Sequence, residues 1–228
     1  MYAVYVMYVM KAMYVRKIMS MTMTMIDTQD KSDGRTGEHE ALYGLIGHPL
    51  AHSFSQRYFR QKFADEDIDA DYINFDIDTA EKLREIVAAH PNLRGLNVTH
   101  PYKQDVMPLL DSVSPLAQRI GAVNVIVVTR DADGRVTLGG FNTDCPGFGE
   151  SLDVFAAAHP LDSLMGHDNP DGNALISALV LGTGGASRAV CTALRLRGIE
   201  PTQVSRTAGG GRITYSDLTR EVMRMHRF

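Results

Sequence analysis

The chain has 228 residues, 44% of them hydrophobic and 22% charged, which excludes wholesale disorder, a collagen-like fibre and a membrane bundle. At about 150 residues per domain, this length holds one large domain or two small ones. Lys and Arg number 23 against 27 Asp and Glu, a net charge of −4 with no block of like charge, so no nucleic-acid partner is expected.

Residues 1–25 (MYAVYVMYVMKAMYVRKIMSMTMTM) hold eight of the twelve methionines and four of the nine tyrosines. Lys11, Arg16 and Lys17 interrupt the apolar runs, none of which approaches the roughly 20 residues that span a bilayer. The charges follow the first apolar run and no A-x-A site appears, so the pattern is not that of a signal peptide. The segment reads as an added or mistranslated leader, with the authentic start at one of Met19 to Met25. Residues 27–40 are polar and Gly-containing, a linker composition. Leader and linker together occupy 1–40, and folded protein is expected from Ala41.

Ala41–Gly47 is a short apolar run ended by Gly-His-Pro and reads as a buried strand. Ser53 is placed to cap a helix with Phe54, Tyr58 and Phe63 near one face. Ile73, Phe75 and Ile77 alternate as in a strand, and Thr79 can cap a helix carrying Leu83, Ile86 and Val87. Arg94–Val98 is a further strand, and Pro101 suits the first position of a helix after it. Val123–Val128 is β-branched and turns at Asp131–Gly134 into Arg135–Leu138, a hairpin. A helix follows from Pro146 to about Ala158, then a loop rich in Pro, Asp, Asn and Gly up to Asn173. Ala178–Leu181 opens a βαβ unit with its helix to Arg197, Gly198 as stop and Gln203–Ser205 as second strand. Gly209–Gly211 and a helix from Ser216 to about Met225 end the chain. Alternating strands and helices predict an α/β fold with a mainly parallel sheet over 41–147 and a second α/β unit over 148–228. Cys145 and Cys191 show no CxxC or metal spacing and read as reduced thiols of a cytoplasmic protein.

Gly182-x-Gly184-Gly185-Ala186-Ser187 lies between a predicted strand and a predicted helix, the setting in which such a turn binds a dinucleotide. Its glycines allow a tight turn and let backbone N–H groups approach a pyrophosphate at the helix N-terminus. Arg188, just inside the helix, is either a wall of the adenine pocket or simply exposed. An NAD site usually offers an acid about 20 residues after the first glycine. Here that region reads Val204-Ser205-Arg206-Thr207, a guanidinium flanked by two hydroxyls, which favours the 2′-phosphate of NADP. A solvated Arg206 is the alternative.

A second group of motifs precedes the turn. Ser53-x-Ser55 follows Gly47-His-Pro-x-x-His52, Asn97-Val-Thr99-His-Pro-Tyr-Lys103 ends a strand, Gly121-Ala-Val-Asn124 precedes one, and Asn142-Thr-Asp144 precedes a helix. Singly, each has a structural explanation: caps for Ser53 and Ser55, turns for Asn97 and Asn124, a helix-start acid for Asp144. Lys103 resists it. In the first turn of a helix begun by Pro101, a cation opposes the helix dipole, and its lowered pKa would suit proton transfer. His48 and His52 are four apart but bracket Pro49 in a loop without an acid in their segment, so no metal site is expected.

In this order, over residues 43 to 207, these motifs closely resemble the shikimate dehydrogenase family, whose pattern is G-x-P-x-x-H-S-x-S, N-V-T-x-P-[YF]-K, G-A-V-N, N-T-D, G-x-G-G-A-S-R and [NS]-R-T. The resemblance implies reversible NADPH-dependent reduction of 3-dehydroshikimate to shikimate, on the way to aromatic amino acids. It implies that Ser53, Ser55 and Thr99 hold the substrate carboxylate, that Asn97, Asn124 and Asp144 bind ring hydroxyls, and that Lys103 and Asp144 are the catalytic pair. Gly182, Gly184, Gly185, Ala186, Ser187, Arg188, Ser205, Arg206 and Thr207 become the NADP site. The partners are then small molecules rather than nucleic acid or membrane, and a homodimer is allowed for.

The family continues past this point into a strand ending N-[AT]-[ST]-P-x-G-M and closing helices that add a glutamine to the substrate site. The fold is therefore expected to be an α/β substrate domain followed by a partial Rossmann domain with an open sheet edge after Ser205, truncated at its C-terminus. Two alternatives stand beside an active enzyme: a non-catalytic fragment that binds shikimate or NADP, and a quinate/shikimate dehydrogenase variant.

Overall fold

A computed structural model describes residues 39–158 and 177–226. The leader, most of the linker and the loop expected before Asn173 lie outside these residues. Two compact units divide between Asn142 and Thr143, whereas the sequence pattern sets the boundary after residue 147.

The first unit is built on a six-stranded sheet ordered β2-β1-β3-β5-β6-β4. Its strands are β1 (Ala41–Gly47), β2 (Ala70–Asp76), β3 (Leu93–Val98), β4 (Ser112–Val113), β5 (Val125–Arg130) and β6 (Val136–Phe141). β1 runs parallel to both β2 and β3, so it is flanked on both edges, and its consecutive residues Gly44 to Gly47 are all buried. This is why its sequence is an unbroken apolar run rather than an alternating one. The crossovers pass through α1 (Ser55–Asp65) and α2 (Leu83–Ala89).

β5 turns the sheet antiparallel, pairing with β3 and, through a hairpin, with β6. One carboxylate oxygen of Asp131 accepts from the N–H groups of Asp133 (3.1 Å) and Arg135 (2.8 Å), which builds the turn the sequence predicts. The core gathers Ile46, Leu83, Leu93, Leu96, Val123, Ile126 and Leu138, each fully buried or within 1% of it.

Some local expectations fail for identifiable reasons. α1 starts at Ser55, with Phe54 in helical conformation before it and no side-chain cap. Ser53 instead accepts from the Ser55 N–H (3.3 Å) in the preceding loop, and Phe54 is exposed while Phe59 and Phe63 are buried. Thr79 gives no side-chain cap either; a 3-10 turn, Ala80–Lys82, leads into α2. Helix α3 (Pro115–Ile120) is unanticipated, although Ser114 caps it through Ala117 N–H and Pro115 sits at its first position.

The second unit holds α4 (Asp144–Ala158), β7 (Ser177–Leu181), α5 (Gly185–Arg195), β8 (Glu200–Ser205), β9 (Ile213–Thr214) and α6 (Arg220–Met225). Its sheet is parallel, in the order β7-β8-β9. β9 pairs with Val204 and Ser205, the last two residues of β8, and so extends the sheet there beyond the edge that the sequence pattern leaves open. Leu152, Ala178, Val180, Cys191, Leu194 and Ile199 form the core. Arg197 meets the Asp153 carboxylate with two parallel bonds (2.6 and 2.7 Å), pinning α4 to the end of α5. Among the described residues no helix is long and apolar enough to cross a membrane.

Candidate active site

One end of the first sheet collects most of the residues singled out for substrate. β1 and β3 are parallel and end at Gly47 and Val98, while β5 runs the other way and begins at Val125. The segments that follow β1 and β3 and precede β5 are therefore neighbours. Backbone bonds tie them together: Thr99 N–H to Ile46 C=O (3.0 Å), Val98 N–H to Asn124 C=O (2.8 Å), and Val123 N–H to Lys103 C=O (2.7 Å). Asn97 faces Val125 across the β3–β5 ladder. The Asn142 amide donates to Ala122 C=O (2.9 Å), bracing the Gly121–Asn124 segment.

Gly47 makes the close approach possible. A Cβ built on it would lie 2.4 Å from Thr99 Cγ2 and 2.8 Å from Leu50 Cδ2. Only a residue without a side chain lets the Thr99 segment pack against the end of β1.

Lys103 is at this end, but not for the reason the sequence suggests. Residues 101–106 form successive turns rather than an α-helix, followed by a 3-10 turn at Met107–Leu109. The Lys103 carbonyl, which a helix would need for residue 107, is taken by Val123 N–H; Met107 N–H falls back to Gln104 C=O (3.1 Å). Pro108 has no N–H to extend the ladder. Lys103 therefore does not sit in the first turn of a helix. Tyr102 anchors the turn instead: its buried hydroxyl donates to Ile77 C=O (2.7 Å), and burial pushes its phenol above the ordinary range.

Tyr72 is the residue sequence reasoning missed. It is 1% exposed, stacks on Phe59 at 4.5 Å, and its hydroxyl donates to Asn97 Oδ1 (2.8 Å). Burial pushes its phenol well above the ordinary range, and the nearby Ser55 side chain offsets this only in part. A tyrosine in a strand reads as an ordinary β-former, so the sequence carries no local sign of this.

His48 does have an acid beside it, brought from β2: its Nδ1 lies 2.7 Å from Asp76 Oδ1, and Leu50 N–H donates to Asp76 Oδ2 (2.9 Å). The Leu50 and His48 bonds hold the Asp76 carboxyl below the usual range. His52 is exposed, and among the described residues no group of three or more His, Cys, Asp or Glu could hold a metal.

In the second unit Asp144 is buried at the first turn of α4. The glycine turn has the expected form: Gly182 at φ +106, Gly184 extended, and α5 starting at Gly185 without a side-chain cap or an acid in its first turn. Among the described residues, a Cβ at Gly182 or Gly184 would meet nothing within 4 Å. At Gly184, where φ is negative, neither conformation nor packing among the described residues demands a glycine. Ser187 turns inward, its hydroxyl donating to Gly182 C=O (2.6 Å) and accepting from Gln203 (3.0 Å), so it shapes the turn. Ala186 and Arg188 are exposed. At the end of β8 the buried Ser205 hydroxyl accepts from Thr207 N–H (3.1 Å) and also bonds Thr207 C=O. Of the guanidinium and its two flanking hydroxyls, Arg206 and Thr207 are exposed, whereas Ser205 is buried and holds their turn.

Comparison with known proteins points the same way. Residues 45–126 match the family described as shikimate dehydrogenase substrate binding domain. The chain is 42% identical over 160 residues to the shikimate dehydrogenase (NADP(+)) of Oleidesulfovibrio alaskensis, covering 69% of this chain and 50% of that one. The crystal structure of shikimate 5-dehydrogenase from Thermus thermophilus in complex with NADP(H) and shikimate aligns with a TM-score of 0.54 and 37% identity, covering 73% of this chain and 56% of that one. Quinate dehydrogenase from Corynebacterium glutamicum in complex with NAD aligns at 0.55 and 31%, covering 73% and 55%. The chain spans about half the length of the curated relatives it matches.

Proposed function

We propose that the protein, whose residues 45–126 match the shikimate dehydrogenase substrate binding domain, binds shikimate and 3-dehydroshikimate and interconverts them with NADP. What supports this most is the gathering of Asn97, Thr99, Lys103 and Asn124 at one end of the first sheet, bound to each other's segments by backbone hydrogen bonds.

The chemistry follows from the residue types. Ser53, Ser55 and Thr99 offer neutral hydroxyl donors to a carboxylate, which fixes the acid end of the ring without placing a second cation beside Lys103. Asn97 and Asn124 present amides to ring hydroxyls. Lys103 delivers a proton to the ring carbonyl oxygen, and Asp144 is the second proton-handling group. In the second unit the open turn at Gly182 and Gly184 and the uncapped start of α5 suit a pyrophosphate, whose approach a side chain at Gly184 would block. Arg206, at a strand end without an acid, suits a 2′-phosphate. NADPH, when bound, supplies the hydride.

The test is NADPH consumption in the presence of 3-dehydroshikimate, run beside calorimetric titration with shikimate and with quinate. Turnover together with shikimate binding is expected. Binding without turnover reduces the proposal to a binding protein, tighter binding of quinate replaces the substrate, and absence of both overturns it.

A further inference from the structure

We propose that Asp76 is a positioning residue of the substrate site: its carboxylate fixes the segment from His48 to Ser53, and through it the hydroxyl of Ser53. The inference deepens the functional reading above and rests on it.

β1 ends at Gly47 and α1 begins at Ser55, so residues 48–54 join them without helix or strand. Among the described residues, the backbone of the sheet grips this segment at one point, where His48 N–H donates to His100 C=O (3.1 Å). Pro49 has no N–H to add a second. The next grip comes from a side chain. Asp76 ends β2 opposite Gly47 in the β1–β2 register. Its two carboxylate oxygens take the two ends of His48-Pro49-Leu50: Oδ1 lies 2.7 Å from His48 Nδ1, and Oδ2 accepts from Leu50 N–H at 2.9 Å. An ionised carboxylate only accepts, so His48 carries its proton on Nδ1. The His48 side chain is more than half exposed, whereas the Leu50 bond is part-buried. The bond to Leu50 therefore carries most of the effect.

From Leu50 the order passes to the hydroxyl proposed to meet the ligand. Leu50 is 7% exposed, and its C=O accepts from Ser53 N–H (2.9 Å), closing a turn over residues 50–53. Ser53 Oγ in turn accepts from Ser55 N–H (3.3 Å) at the start of α1. With a lone pair engaged there, Ser53 keeps its one hydroxyl proton to donate, which is the polarity a ligand carboxylate requires. Asp76, Leu50, Ser53 and Ser55 thus form one run of bonds from the end of β2 to the start of α1.

The test is shikimate binding by calorimetry on the full chain, with NADP binding and Tm measured on the same variants. Asp76→Ala is expected to weaken shikimate binding about five- to tenfold, the scale of one hydrogen bond to a charged group near the surface, and to leave NADP binding unchanged. Asp76→Asn keeps an acceptor oxygen for Leu50 N–H and offers its NH2 to the other tautomer of His48, so it is expected to restore affinity to within about twofold. In a Ser53→Ala background Asp76→Ala should cost less than about twofold, because the hydroxyl it places is gone. A clamp with a merely structural role would lower Tm and leave shikimate affinity alone. Unchanged shikimate affinity in Asp76→Ala, an equal loss of NADP affinity, no recovery in Asp76→Asn, or an equal loss in the Ser53→Ala background overturns the proposal while leaving the functional reading intact. Absence of shikimate binding by the unsubstituted protein overturns that reading, and this proposal with it. Should Asp76→Ala be recovered unfolded, Asp76→Glu carries the test by moving the same carboxylate one methylene along: shikimate binding weaker by about threefold or more supports the proposal, and parental affinity overturns it.

Discussion

Replacing Gly47 by Ala separates the packing of the site from its chemistry. Gly47 has an ordinary negative-φ backbone, so alanine meets no conformational penalty there, and shrinking the unfolded ensemble should favour folding by about 0.4–1 kcal/mol. Against this, the new methyl would lie 2.4 Å from Thr99 Cγ2, 2.8 Å from Leu50 Cδ2 and 3.0 Å from His100 C=O. Carbon atoms prefer about 3.5–4.0 Å, so something must move by roughly an ångström. Leu50 can rotate its tip away. Thr99 is β-branched, and its N–H is fixed to Ile46 C=O, so the strain falls on the residue proposed to hold the ligand carboxylate. Overpacking of this kind costs about 1–3 kcal/mol, which exceeds the entropic gain. The expected result is a fall in Tm of a few degrees, by about 4 °C or more where the net loss reaches 1 kcal/mol, and a shikimate affinity weakened at least about tenfold. Thr99→Ser deletes the clashing Cγ2 and keeps the hydroxyl, so Gly47→Ala/Thr99→Ser should recover most of both losses. Circular dichroism melts and calorimetric titration read the two quantities. A Gly47→Ala protein that melts no lower and binds as tightly as the parent would refute the close approach.

Other consequences are checked as directly. Lys103→Ala should lower NADPH-dependent turnover by about a hundredfold or more and change shikimate affinity by less than about tenfold; full turnover would remove Lys103 from the mechanism. Arg206→Gln should weaken NADP binding about tenfold more than NAD binding, read by fluorescence titration with each dinucleotide, since only NADP carries the 2′-phosphate. The two bonds from Arg197 hold the Asp153 carboxyl below the usual carboxylate range. A folded-state pKa below the unfolded one stabilises above the ordinary carboxylate pKa, and that contribution is lost as pH falls through the depressed value. Tm against pH should therefore drop less steeply on the acid side in Asp153→Asn, by no more than about 1 kcal/mol for a pair this exposed.

What the sequence reveals of the fold depends on how local each cause is. β1 reads clearly because it is an inner strand, paired on both edges, whose residues from Gly44 to Gly47 are all buried. The Asp131 hairpin and the Gly182 turn read clearly because the residues that shape them lie within a few positions of each other. The segment after Pro101 is misread as a helix because what prevents it is distant: Val123 takes the Lys103 carbonyl. β9, two residues after a run of glycines, has no periodicity to detect.

The same division runs through the site. Each motif residue announces itself by type and spacing, whereas the groups that orient it come from elsewhere in the chain. Tyr72 is the clearest case: β2 would accept almost any large side chain beside Phe59, and a phenylalanine there would satisfy packing equally well. Only the hydroxyl distinguishes tyrosine, and its partner, Asn97, comes from another strand. Gly47 works likewise through Thr99, a residue of the neighbouring strand's end. Lys103, for its part, reaches the right end of the sheet through its own backbone carbonyl and through Tyr102, whose hydroxyl is bound to Ile77, and not through a helix. The residues proposed to meet the ligand are thus legible in one dimension, while the residues packed against them become visible only when strands distant in sequence are brought side by side.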